Sequence, residues 1–102
     1  MNFKHLADQL GLDEEDFLEL VELFIDTTAQ DLAKIRQGVA DDNPADAAAA
    51  AHSIKGAAGN LGFESMAGLA QKMEMQAKAG SLEGFAEYID DLQAQLDYLA
   101  AH

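Results

Sequence analysis

Asn43-Pro44-Ala45-Asp46-Ala47-Ala48-Ala49-Ala50-Ala51-His52-Ser53-Ile54-Lys55-Gly56-Ala57-Ala58-Gly59-Asn60-Leu61-Gly62 reads as one helix with both ends marked. Asn43 suits the N-cap, where a side-chain oxygen accepts an orphan backbone N–H. Pro44 suits the first helical position, where a missing N–H is no loss, and Asp46 follows at N3. At the far end Gly62 can adopt the left-handed conformation that closes a helix. At about 100° per residue, Ala47, Ala51, Ile54, Ala58 and Leu61 fall on one stripe and form the inward face.

The segments on either side follow the same period. Phe3, Leu6 and Leu10 belong to a short first helix, Phe3 to Leu10, ended by Gly11-Leu12-Asp13. Asp13 can cap a second helix, with Glu14, Glu15 and Asp16 in its first turn and an end near Val39. Its apolar stripe is Phe17, Val21, Phe24, Ile25, Thr28, Leu32 and Ile35. A fourth helix, Glu64 to about Ala79, carries Met66, Leu69, Ala70, Met73 and Ala77 on one face. Gly80 and Ser81 then read as a C′ glycine and an N-cap. A fifth helix carries Phe85, Ile89, Leu92, Leu96 and Leu99. Four long amphipathic helices with short connections predict an all-α fold, an antiparallel four-helix bundle with a short N-terminal capping helix. Residues 1–102 read as a single domain, without internal repeats or a low-complexity linker.

Composition narrows the function classes. The 102 residues include 19 acidic and 6 basic ones, a formal net charge of −13. Nucleic acid and anionic membrane surfaces repel such a chain. Hydrophobic residues make up 49% of it, which argues against disorder. No cysteine is present, so disulfides, thiolate metal sites and thiol catalysis are excluded, in keeping with a cytoplasmic protein. No apolar run approaches the roughly 20 residues that span a bilayer, and the first residues lack the apolar stretch of a signal peptide.

The outward face of the third helix departs from the norm. Exposed helix faces usually carry Glu, Lys, Gln or Arg, yet this one holds Ala45, Ala48, Ala49, His52, Gly56 and Gly59, with Lys55 at its edge. A mid-helix glycine is on the order of 1 kcal/mol less stable than alanine. Gly56 and Gly59 point away from the core stripe, so the core does not ask for them. They leave clearance around His52 at i+4 and i+7. An ammonium beside the imidazole disfavours imidazolium, leaving a neutral, nucleophilic ring, and could hydrogen-bond an anion attached to it. Lys55, Lys72 and Lys78 are three of the six basic residues and fall on the third and fourth helices, which suggests a local positive site. Against this stands the bland reading: an inert surface histidine, and glycines that serve helix packing.

The stretch His52-Ser53-Ile54-Lys55-Gly56-Ala57-Ala58-Gly59-Asn60-Leu61-Gly62 resembles the signature of histidine-containing phosphotransfer (HPt) domains. That signature is a His, an aliphatic residue two positions on, Lys-Gly, small residues, and an apolar-Gly pair. Length, acidic balance and helix order are also similar to a stand-alone HPt domain. The resemblance implies a phosphorelay intermediate that accepts a phosphoryl group on His52 from a receiver-domain aspartyl-phosphate and passes it to another receiver-domain Asp. It implies Nε2 as the attacking atom, Lys55 as the residue that steadies the phosphoryl oxygens, and Gly56 as the residue that makes room for the partner. The implied partners are response-regulator receiver domains and a hybrid sensor histidine kinase, met by a monomer without a kinase activity or ATP site of its own. The metal that transfer needs would belong to the receiver, so neither metal nor cofactor is expected here. A polar residue of the fourth helix should orient the ring. Glu74 has the right spacing, with Gln71 and Lys78 as rivals. The docking surface should take in exposed parts of the first helix and the flanks of His52, with Phe63 either there or in the core.

Two other classes compete. The Ala/Gly face could be a docking groove in a non-covalent adaptor that binds receivers or a partner helix without phosphotransfer. A small hydrolytic or metal enzyme is disfavoured, since no nucleophile–base–orienter triad and no inward His-x-x-x-His or Glu-x-x-His set can be traced. His5 and His102 have no companion Lys-Gly pattern.

Overall fold

The computed structural model describes residues 3–101 as five helices and their connections. They are α1 Phe3–Gln9, α2 Glu14–Ala40, α3 Pro44–Leu61, α4 Glu64–Lys78 and α5 Phe85–Ala100. At about 1.5 Å per residue, the 27 residues of α2 match the 42 Å long axis of the molecule. α2 packs on α3 and α5, and α4 packs on the same two, which closes a four-helix ring. The α3–α4 seam is the most extensive and α1 lies against α2.

The predicted ends of α3 are the observed ones. Asn43 Oδ1 accepts the Asp46 N–H at 3.2 Å. Gly62 closes the helix at φ 83, with its own N–H on the Gly59 carbonyl and the Phe63 N–H on the Ala58 carbonyl. This paired termination turns Phe63 inward. Its ring lies 6.3 Å from Phe17 and 5.2 Å from Phe24, so Phe63 belongs to the core and not to a docking surface. α1 covers this end of the bundle: Phe3 stacks obliquely on Phe17 at 6.0 Å, and Leu6 lies over Gly62.

Three sequence expectations need correction. Ser81 is not an N-cap. Its hydroxyl accepts the Glu83 N–H inside the loop, and α5 begins only after Gly84, which has φ 77. Asp13 occupies the N-cap position of α2 but makes no side-chain cap bond there. Ala48, assigned to the outward face, is buried at the floor of a groove where α3 meets α4.

The polar side of α2 also goes deeper than its apolar stripe indicated. Asp31 and Gly38 are buried with it. A Cβ on Gly38 would lie 3.1 Å from both the Ala47 nitrogen and the Asn43 carbonyl oxygen. Both are backbone atoms, one at the N-cap and one in the first turn of α3, and cannot swing aside. Gly38→Ala should therefore lower stability by about 1–3 kcal/mol through overpacking. Ile54→Ala, at a fully buried position, should lower it by about 2–5 kcal/mol through a cavity. Urea denaturation followed by helical ellipticity checks both. An unchanged midpoint for Gly38→Ala would show that the turn can open.

Candidate phosphotransfer site

α3 presents His52 with its side chain 65% exposed. One turn and two turns further on, Gly56 and Gly59 share the exposed strip, and a Cβ at either would meet nothing within 4 Å. Alanine would fit at both positions without moving an atom. Packing within the chain therefore explains neither glycine, and the strip around His52 is left open to solvent.

The ring is held from the other side. Glu74 rises from α4 into the α3–α4 seam and is only 3% exposed. Its Oε2 lies 2.7 Å from His52 Nδ1. Its Oε1 lies 2.7 Å from Lys55 Nζ, and Lys78 Nζ reaches Oε2 at 3.1 Å. The Lys55 ammonium lowers the Glu74 pKa from its ordinary 4.5 to about 2; burial opposes that shift, while Lys78 and His52 add to it. The carboxylate is thus ionised at neutral pH and can only accept hydrogen bonds. The ring nitrogen facing it must carry the proton, so the neutral imidazole is the Nδ1–H tautomer. Its lone pair sits on Nε2, the nitrogen turned away from Glu74.

The fold thus brings His52, Lys55 and Glu74 together and sets Gly56 and Gly59 on the same open strip. Of the two rivals to Glu74, Gln71 takes no part in this network, while Lys78 joins it through the carboxylate. The Lys55 ammonium does not face the ring alone; Glu74 answers its charge. Lys72 does not contribute to the positive site, since its ammonium lies over the Tyr88 ring, 5.3 Å from the centroid. His5 sits exposed on α1, and His102 lies outside the described residues. Among the described residues, no group of three or more His, Asp or Glu side chains is placed to hold a metal ion, and no helix is long and apolar enough to cross a membrane.

Two grooves flank the site, and of these the sequence singled out only the Ala/Gly face of α3 that lines the second. An open groove lined by Leu20, Leu23, Phe24, Thr27, Ala57, Asn60 and Leu61 runs between α2 and α3. Leu20 and Leu23 are exposed at its edge and lie off the α2 core stripe, a signal the sequence did contain. A second groove, between α3 and α4, is lined by Ala45, Ala48, Ala49 and Ala77 and ends at His52, Glu74 and Lys78.

A family model described as the Hpt domain matches residues 19–102. The chain belongs to the Hpt domain family. Hpt domains are phosphocarrier modules of phosphorelay, two-component signalling; they interact with receiver domains and are not kinases. The match takes in α3, α4 and the whole His52 network, and it leaves out α1 and the first turn of α2. Neither the comparison with curated proteins nor that with solved structures returns a match.

The depressed Glu74 pKa has a consequence for stability. A carboxyl with a lowered folded-state pKa contributes stability that is fully present above its unfolded value and lost as pH falls through the folded one. For this Hpt domain that window runs from 4.5 down to about 2. Glu74→Gln should flatten the acid limb of the stability profile in that window. Urea midpoints measured for both proteins across it provide the check, and superimposable acid limbs would contradict the buried ion network.

Proposed function

We propose that this Hpt domain accepts a phosphoryl group on His52 Nε2 from a receiver-domain aspartyl-phosphate and passes it to the aspartate of another receiver. The observation that carries this reading is the 2.7 Å bond between Glu74 and His52 Nδ1, which leaves Nε2 as the free nucleophile on a glycine-cleared face. In the forward step the Nε2 lone pair attacks phosphorus and an N–P bond forms. The P–O bond to the aspartyl group breaks, and its electron pair leaves with the carboxylate. The positive charge that develops on the ring is held at Nδ1–H against Glu74. Passing the phosphoryl group on reverses these events with a second carboxylate as the attacking group.

Lys55 has three N–H donors and uses one on Glu74. We assign the others to the phosphoryl oxygens, as charge-assisted hydrogen bonds. Gly56 and Gly59 give the receiver's active site access to the ring. From Gly56 the exposed surface of α3 continues round to Asn60 and Ala57, and so to the groove edged by Leu20 and Leu23. Asn60 lies two turns past His52, about 12 Å along the axis, within the footprint of a docked globular partner. We therefore extend the receiver surface across this groove. The chain acts in this reading as one monomeric domain in the cytoplasm, charged by a hybrid sensor histidine kinase through its receiver and with no ATP site of its own.

The test is transfer of label from a phosphorylated receiver. His52→Gln should abolish acid-labile, base-stable labelling and keep the helical content. Gly56→Ala should slow transfer although it raises helix propensity. Leu23→Glu, at a side chain in solvent, should weaken receiver binding and leave thermal stability unchanged. Label that persists in His52→Gln would sink the assignment. Receiver binding with no transfer from any of several donors would favour the non-covalent adaptor.

A further inference from the structure

The three donors around Glu74 are not equivalent. Lys55 takes Oε1 alone, at 2.7 Å. Oε2 is shared: His52 Nδ1 holds it at 2.7 Å and Lys78 Nζ at 3.1 Å. Lys78 stands one turn beyond Glu74 on α4, so it reaches the carboxylate from its own helix while the other two reach it from α3. A carboxylate held at one oxygen by a lysine can still pivot about that contact. Held at both, it presents a fixed lone pair to Nδ1. The imidazole needs this more than most partners would, because 65% of its side chain is in solvent and the ring has little packing to align it. Charge points the same way. Lys55 and Glu74 cancel, and Lys78 leaves the cluster one positive charge in excess, on a chain whose formal net charge is −13.

We propose that Lys78 is a positioning residue for phosphorylation of His52. It acts through Glu74, fixing the Oε2 lone pair that holds the ring in its Nδ1–H tautomer with Nε2 outward. The proposal builds on the phosphotransfer reading but concerns a residue that the His-x-x-Lys-Gly signature does not contain. An ordinary surface pair between residues four apart on a helix would be indifferent to the state of an imidazole on another helix. Lys78 is not indifferent if the shared oxygen is what connects them.

The experiment uses phosphoramidate as donor, so that no receiver is involved, and imidazole nitrogen NMR as a readout independent of transfer. In Lys78→Met, which keeps an apolar stem of similar reach, the Nδ1–H tautomer fraction of His52 should fall. The rate of labelling by phosphoramidate should drop about two- to fivefold, the size that a half-exposed ion pair supplies. Lys78→Arg, which restores a donor at the same place, should recover both. Unaltered tautomer signals in Lys78→Met would overturn the proposal, as would a slowed rate that Lys78→Arg does not rescue. If receivers fail to label the wild-type protein, the phosphorelay reading fails, yet the tautomer comparison still decides the role of Lys78.

Discussion

A carboxylate taken out of water must be answered by donors, and Glu74 is answered on both oxygens. Its position in the α3–α4 seam is tolerable only because His52 and Lys55 reach it from one helix and Lys78 from the other. Removing two charges from water costs several kcal/mol per ion, so such a cluster is weak evidence of net stability. What it supplies is definition. The i and i+3 residues of α3 and the i and i+4 residues of α4 meet at one carboxylate, which fixes how the two helices sit and which way one imidazole turns. The network lies where core gives way to solvent, so the same contact that seals the seam also orients a ring left open to a partner.

That arrangement depends on how closely the two helices approach. Ala48, Ala51 and Ala58 of α3 and Ala70 and Ala77 of α4 are all buried. Interaxial distance follows the size of the side chains at the contact, so alanines there let two helices approach closely. A glutamate on α4 can then meet an imidazole and an ammonium on α3. At wider spacing the same residues would hydrate separately. The alanine run, unremarkable as helix composition, is thus a condition for the ion network. It also accounts for the burial of Ala48 beside Ala77, which a helical wheel of α3 alone does not convey.

The sequence conveyed what local chemistry controls. The ends of α3 follow from Asn43, Pro44 and Gly62, and the five-helix order from period and punctuation. His52 and Lys55 stood out because a face of alanine and glycine is abnormal in solvent. What it could not convey arises between helices. Glu74 had two rivals on the same face, and only the register of α4 against α3 separates them. The proximity of Lys55 to His52 was legible as i+3 spacing, but not the carboxylate between them, which changes the meaning of the lysine. Gly38 gave no local sign at all; the need for glycine comes from the backbone of the following turn. Ser81 misled for the opposite reason. It is a good N-cap residue, but Gly84 sets where α5 starts and the hydroxyl serves the loop instead.

Gly56 and Gly59 then show where the demands on α3 divide. Alanine, the strongest helix former, fills Ala47 to Ala51 in the first half of this helix and Ala57 and Ala58 in its second. At the two glycines the helix gives up on the order of 1 kcal/mol each, though a methyl group would touch nothing in the folded chain. Glycine at Gly38 and Gly62 has an internal explanation in close backbone approach and positive φ. At Gly56 and Gly59 neither applies, and both lie on the exposed strip that carries the ring held by Glu74. In the phosphotransfer reading we assign this local cost, which has no internal cause, to access for a partner's active site to the ring.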